Sequence, residues 1–315
     1  MVLSDLILGM LFLSQTGVGV LGNTMLLTVY VNIFISQPHQ KKPTDLILLH
    51  LTVANTVILL TRGMPETLVA FGINNIVDDV GCQVLMYINR VARGLSICTT
   101  CLLSVFQAIT ISLSTSPLAK FKLRAPSYIL PSFFFFWIFN LLIYIEVAAS
   151  TRATKNVTIK KYTYIFKYCS LLPRDNYISA AVSLTATTFR DLFFVFLMSW
   201  ASGYMVTVLY RHRKQVQHIH SSNLSPKSSL EIRAIQTILL LVSFFICFYW
   251  INCCITLYLS LMKEVNGQLQ NASSFLSACY SSLCPFVLIK RDPRAMRTQC
   301  GLLSLFPKGQ EGLWR

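Results

Sequence analysis

Apolar residues fall in seven long runs along this chain: Leu6–Ile35, Leu46–Thr61, Cys82–Ser116, Ala125–Ile145, Leu192–Tyr210, Ala234–Met262 and Val265–Ile289. Arg90 and Arg93 are the only charges inside them. A helix needs about 20 mostly apolar residues to cross a bilayer core. The second run reaches that length by taking in Arg62 and Glu66, up to about Gly72, and the fifth by extending back through Arg190 and Asp191 to about Ala180. Lipid offers the backbone no hydrogen-bond partner, so such segments must be helices. Alternating ten-residue strands, the signature of a membrane barrel, are absent from the sequence. One run alone would suit a buried core helix of a water-soluble protein, but seven in series argue for a bilayer. The pattern predicts an all-α membrane protein, a seven-helix bundle over residues 1–292 with a short tail over 293–315.

Charge then sets the threading. Met1–Asp5 carries no Lys or Arg, and no cleavage site follows a short apolar core, so the first helix itself is expected to target the chain. Sixteen Lys and Arg fall on the side of the C-terminal tail, among them Lys41, Lys120, Lys122, Arg211, Arg213 and Lys290. Seven fall on the other side, six of them in the long fourth–fifth loop. The excess predicts a cytoplasmic tail and an outside N-terminus. Hydrophobic residues make up 54% of the chain and charged ones 12%, about half the soluble norm. The net charge of +15 therefore reads as orienting charge lying against anionic lipid, and not as a nucleic-acid surface.

The long loop is expected outside, and Asn156-Val157-Thr158 in it is an acceptor for N-linked sugar. Asn271-Ala272-Ser273 also matches but lies close to the seventh helix. Cys82, at the outer end of the third helix, and Cys169, in the loop, share an oxidising compartment where a disulfide persists. The other helix cysteines read as small hydrophobes. Cys300 in the tail is a candidate for palmitoylation or a plain thiol.

Ionisable residues in the apolar stretches carry the functional signal: Arg62, Glu66, Arg90, Arg93, Glu146, Arg190 and Asp191. Each costs at least ~2.5–3.5 kcal/mol at the bilayer centre, so each should face the bundle or a wet cavity. A rise of about 1.5 Å per residue places all seven toward the outside. Arg62 with Glu66, and Arg90 with Arg93, each share a helix face, and Pro65 is expected to kink the second helix between the first pair. Two readings follow: an outward-facing polar ligand cavity, or structural ion pairs between helices. Four Arg face two acids in the second, third and fifth helices, so two guanidiniums should need an anion, a chloride or water. An anionic or strongly accepting group on an apolar body would suit them. A sulfated steroid would fit, with its rings among Phe71, Met86 and Tyr87. Catalytic constellations, phosphate-cradling glycine loops and metal-ligand spacings are missing, so neither an enzyme nor a cofactor is expected. A transporter or channel remains the alternative. It should carry its charges on into the cytoplasmic half, which this sequence does not.

Several runs are more specific. They are His50-Leu51-Thr52-Val53-Ala54-Asn55, Arg62-Gly63-Met64-Pro65-Glu66, Arg90-Val91-Ala92-Arg93-Gly94-Leu95-Ser96-Ile97, Thr99 to Ile111, Tyr210-Arg211-His212, and Pro285-Phe286-Val287-Leu288-Ile289. From about Leu6 to Asp292 the chain closely resembles the vomeronasal type-1 receptors. The resemblance implies a G-protein-coupled receptor for pheromone-like small molecules, in the plasma membrane of sensory neurons, signalling through an inhibitory-class G protein. It also implies the Cys82–Cys169 bridge and a sugar on Asn156. Lys120, Lys122, Arg211, His212 and Arg213 are the residues expected to meet the G protein. Relative to rhodopsin-like receptors, Gln107-Ala108-Ile109 replaces the Asp-Arg-Tyr run, Asn55 stands for an Asp, and Cys284-Pro285 replaces Asn-Pro. Within the family, Asn89 precedes Arg90 where His is usual, a change expected to bear on ligand preference.

Overall fold

A computed structural model describes residues 3–36, 39, 41–73, 76–112, 117–145, 151–153, 163–164, 169–171, 177–218, 226–261 and 267–291. Glu146, Asn156 and Cys300 lie outside the described residues. Seven helices are long and apolar enough to cross a membrane: α1 (Leu3–Ser36), α2 (Pro43–Ala70), α3 (Asp79–Thr110), α4 (Ala125–Ile143), α5 (Tyr177–His218), α6 (Pro226–Leu261) and α7 (Gly267–Arg291). The protein is a multi-pass membrane protein, as the apolar pattern predicts.

The ends of the helices follow local chemistry. Pro43 opens α2, where its missing N–H costs nothing, and the Asp45 carboxylate accepts from the Lys42 N–H at 2.8 Å. Three residues ahead of its apolar run, α3 begins because Asp78 caps it, accepting from the Gly81 N–H at 2.8 Å. It stops at Thr110, short of the expected Ser116. There Thr110 and Ser112 hydroxyls donate to the Phe106 and Ile109 carbonyls, each at 2.8 Å. At 42 residues α5 is about 63 Å long, far beyond the apolar run. Its final stretch, Arg211 to His218, is rich in Arg, Lys and Gln, which are good helix formers.

Pro65 does more than kink α2. Residues Leu59–Gly63 form a π turn immediately before it, and the α-helix resumes at Met64. Proline withdraws one donor from the ladder and crowds the carbonyl four residues earlier, and the wide turn absorbs both effects. Asn89 of α3 donates to Thr61 Oγ1 at 3.0 Å and reaches the Ile58 carbonyl at 3.5 Å, so it sutures the turn to the bundle.

The centre of the bundle is α3, packed against α2, α4, α5 and α6. In its most apolar window 78% of the residues are buried, against 22% for α4, which lies at the periphery. Consistent with that, Phe134, Phe135, Ile138 and Leu142 of α4 are exposed. Three short strands, β1 (Thr151–Ala153), β2 (Thr163–Tyr164) and β3 (Cys169–Leu171), add a small antiparallel sheet in the order β1-β3-β2. Ala153 pairs with Cys169 in register, and Tyr164 with Ser170. Cys169 is bonded to Cys82 of α3, with their Cα atoms 5.8 Å apart. The Ala153 N–H also donates to Asp79 at 2.7 Å. The sheet is thus fastened twice to the start of α3, and this marks the disulfide end of the bundle.

Candidate functional site

The buried polar groups near the disulfide end divide into three sets. The first joins α2 to α7. Arg62 donates to Ser274 Oγ at 3.1 Å, and Ser274 donates to Glu66 at 3.0 Å. The pair that shares a face of α2 is therefore linked through a hydroxyl on another helix.

The second set centres on Arg190, 3% exposed, on α5. Its Nε donates to Asp191 at 2.8 Å, its Nη1 to Asn140 Oδ1 at 2.7 Å and its Nη2 to the Tyr144 hydroxyl at 2.6 Å; Nη2 also contacts Asp191. The second Asp191 oxygen accepts from the Tyr249 hydroxyl of α6 at 2.9 Å. One guanidinium with its carboxylate thus draws α4, α5 and α6 together. Gly94 makes room for this on α3: a Cβ there would overlap Asn140 Oδ1 and stand 2.7 Å from Arg190 Nη1.

The third set is Arg90 and Arg93 on α3. Arg93 lies over the Tyr249 ring, 6.0 Å from its centroid. With the Asn252 amide turned to satisfy its neighbours, that residue donates to Ser273 and accepts from Arg93 Nη2 at 3.2 Å. Arg90 is half-buried and lies within electrostatic reach of Arg93, Arg190, Asp191 and Tyr144. No described residue accepts a hydrogen bond from it.

Beside Arg93 a cavity of about 40 Å³ opens between α2, α3, α6 and α7. That is room for a few waters. Phe248, Tyr249, Asn252 and Leu276 line it, and Ser96 and Ser281 lie in its wall. Ser96 and Ser281 both donate to Asn55 Oδ1, at 3.0 and 3.2 Å, which ties α2, α3 and α7 below the cavity. Farther toward the opposite end, His50 links three helices. Trp137 donates to its Nε2 at 3.0 Å, so the ring proton is assigned to Nδ1, which meets Thr99 Oγ1 at 2.9 Å.

Of the residues singled out by the sequence, Arg93 lines the cavity, and Arg90, Arg190 and Asp191 gather beside it. Arg62 and Glu66 lie across the bundle on α2, joined through Ser274 of α7. The three candidate ring contacts pack elsewhere. Met86 lies with Cys82, Ala153 and Cys169 beneath the sheet. Tyr87 donates to the Leu141 carbonyl of α4 at 2.9 Å. Phe71 packs against Gly9 of α1. The cavity's aromatic wall is instead Phe245, Phe248 and Tyr249 on α6. Asn252 had a signal that sequence reasoning passed over, since a lone amide inside the apolar run Phe244–Ile255 is costly in lipid and so should face a site. At the opposite end Lys120, Lys122 and Arg211 are exposed. The side chains of His212 and Arg213 lie outside the described residues. Among the described residues, no group of three His, Cys, Asp or Glu is arranged to hold a metal ion.

Residues 6–300 match the family model described as "Vomeronasal organ pheromone receptor family". Vomeronasal type-1 receptor 4 of Homo sapiens is 40% identical over 287 residues, covering 91% of this chain and 95% of that protein. Vomeronasal type-1 receptor 3 of Homo sapiens is 40% identical over 309 residues, covering 96% and 98%. Olfactory receptor class A-like protein 1 of Danio rerio is 37% identical over 285 residues, covering 90% and 89%.

Proposed function

This chain belongs to the vomeronasal organ pheromone receptor family, and from that premise we propose that it detects small molecules carrying an anion or strong acceptor on an apolar body, and signals through an inhibitory-class G protein. It is a chemosensory G-protein-coupled receptor of the plasma membrane. One observation carries the finer reading: Arg90 and Arg93 share a face of α3 beside an aromatic cavity, and Asp191, the acid near them, is already bonded to Arg190 and Tyr249. The guanidinium fork suits a sulfate or carboxylate, while Phe245, Phe248 and Leu276 offer the body an apolar wall. At about 40 Å³ the cavity is far smaller than the ~300–1,000 Å³ that drug-sized ligands fill. Binding then requires α6 and α7 to part, and a moving α6 is the element that a G protein at the opposite end would feel.

In this reading the disulfide end faces outward with the N-terminus and the sugar on Asn156. Lys120, Lys122, Arg211, His212 and Arg213 form a basic cytoplasmic face for the G protein. The test is expression in cells with a cAMP reporter, exposed to fractionated secretions. Active fractions should bind anion-exchange resin, and pertussis toxin should abolish the response. Uniformly neutral actives would sink the anion-site reading. A response indifferent to the toxin would sink the coupling.

A further inference from the structure

Among the described residues, the charges gathered near the disulfide end do not balance. Arg90 lies within electrostatic reach of Arg93 and Arg190, with Asp191 the acid of that group. Both Asp191 oxygens are committed, one to Arg190 and the other to Tyr249. Arg62 and Glu66 form a separate set closed through Ser274. Two cations remain in α3. Arg90 has no hydrogen-bond acceptor among the described residues, and the acceptor of Arg93 is a neutral amide. Like charges one helical turn apart repel, and partial burial between helices strengthens the repulsion over its value in water. Water can solvate such a pair but cannot neutralise it, and an uncompensated buried charge is strongly destabilising.

We propose that a small monovalent anion, chloride in ordinary saline, sits against Arg93 at the cavity, on the face of α3 that Arg90 shares, in the receptor before any ligand arrives. The surroundings select its size and charge. The adjoining cavity, about 40 Å³, has no space for a large oxyanion in this conformation. Both guanidiniums are donors only, and Asp191 lies near enough to disfavour a second negative charge. The ion shares its arginines with the ligand reading above. A ligand with an anionic head therefore exchanges for chloride, and its apparent affinity falls as chloride rises.

The test uses purified full-length receptor in lipid nanodiscs without any ligand, so it stands or falls apart from the ligand reading. The melting temperature is followed while sodium gluconate is replaced by sodium chloride at constant ionic strength. A bound ion stabilises by mass action, and the expected result is a saturable rise of roughly 2–4 °C. Arg90→Gln and Arg93→Gln should flatten the curve, whereas Arg124→Gln, in the exposed segment ahead of α4, should keep it. If the α3 variants fail to fold, the wild-type titration alone decides. Equal melting in the two salts overturns the proposal, as does a rise that never saturates and survives in Arg90→Gln. Should chloride have no effect while every active ligand proves anionic, the inference fails and the ligand reading stands.

Discussion

Arg190 and Arg90 project into the same region from neighbouring helices, yet they differ in nearly every respect that matters. Arg190 is 3% exposed and makes hydrogen bonds to Asp191, Asn140 and Tyr144. Arg90 is half-buried and, among the described residues, bonds to none. A guanidinium ringed by acceptors is a structural rivet, while one left with spare donors is a place for something else to bind. The difference arises from neutral neighbours. Gly94 clears space for Arg190 on α3, and Asn140, Tyr144 and Tyr249 complete its set. On the reading proposed above, the two roles foreseen for such charges, ion pair and ligand cavity, would divide between the two arginines.

The largest effect should come from breaking the rivet. Asp191→Ala leaves the Arg190 guanidinium without its acid, a change that costs about 3–5 kcal/mol at buried pairs. Surface staining of intact cells should fall close to background. The double change Arg190→Met with Asp191→Leu should restore most of it, because apolar replacement of a whole buried pair is often neutral. Near-normal staining of Asp191→Ala would show that Arg190 is no more structural than Arg90. Gly94→Ala attacks the same set from α3. Its Cβ overlaps Asn140 Oδ1, and overpacking of this kind costs about 1–3 kcal/mol. The control is Gly203→Ala on α5, where nothing lies within 4 Å of the added atom. It should be neutral or stabilising by about 0.5–1 kcal/mol. Equal melting of the two alanine variants would contradict the account of Gly94.

Much of the frame was legible in the residues. Seven apolar runs became seven helices because run length against bilayer thickness is a one-dimensional quantity. The Cys82–Cys169 bridge was legible because the two cysteines share one end of the bundle. The partnering of the charges was not. Arg190 finds Asn140 fifty residues away, and Arg62 reaches Ser274 across 212 residues. Those partners are neutral, so no counting of charges reveals them. The π turn at Leu59–Gly63 also escaped, since Pro65 announces a distortion but not its form. Asn89, whose place before Arg90 suggests an influence on the ligand, spends its bonds on suturing that turn. The strands of the loop are two or three residues long, too short for periodicity to register.

Arg90→Gln sharpens the comparison from the other side. With no bonds to lose and a repulsion to relieve, it should leave surface staining intact and melt at or above the wild-type temperature in fixed gluconate. The concentration of an anionic agonist giving half response should rise about tenfold or more, equivalent to about 1.4 kcal/mol of binding. A loss of staining as deep as that of Asp191→Ala would place Arg90 among the structural residues after all.

The smallest effect is expected at the opposite end, where polar groups are matched without any charge. There the His50 ring stacks on Phe133 with centroids 4.3 Å apart and is held at both nitrogens, by Trp137 and by Thr99. Trp137→Phe keeps an aromatic ring of reduced size but removes the N–H that His50 Nε2 accepts. A neutral hydrogen bond contributes about 0.5–1.5 kcal/mol net. Trp137 is 42% exposed, so part of the freed space falls on the outer surface of α4 rather than in a closed core. The variant should therefore melt only slightly lower than wild type in nanodiscs. Its half-response concentration should be unchanged, since His50 touches neither the cavity nor the arginines of α3. A shift in ligand response equal to that of Arg90→Gln would mean that the two ends of the bundle are coupled through α3, and that the division between rivets and binding groups does not follow from local bonding alone.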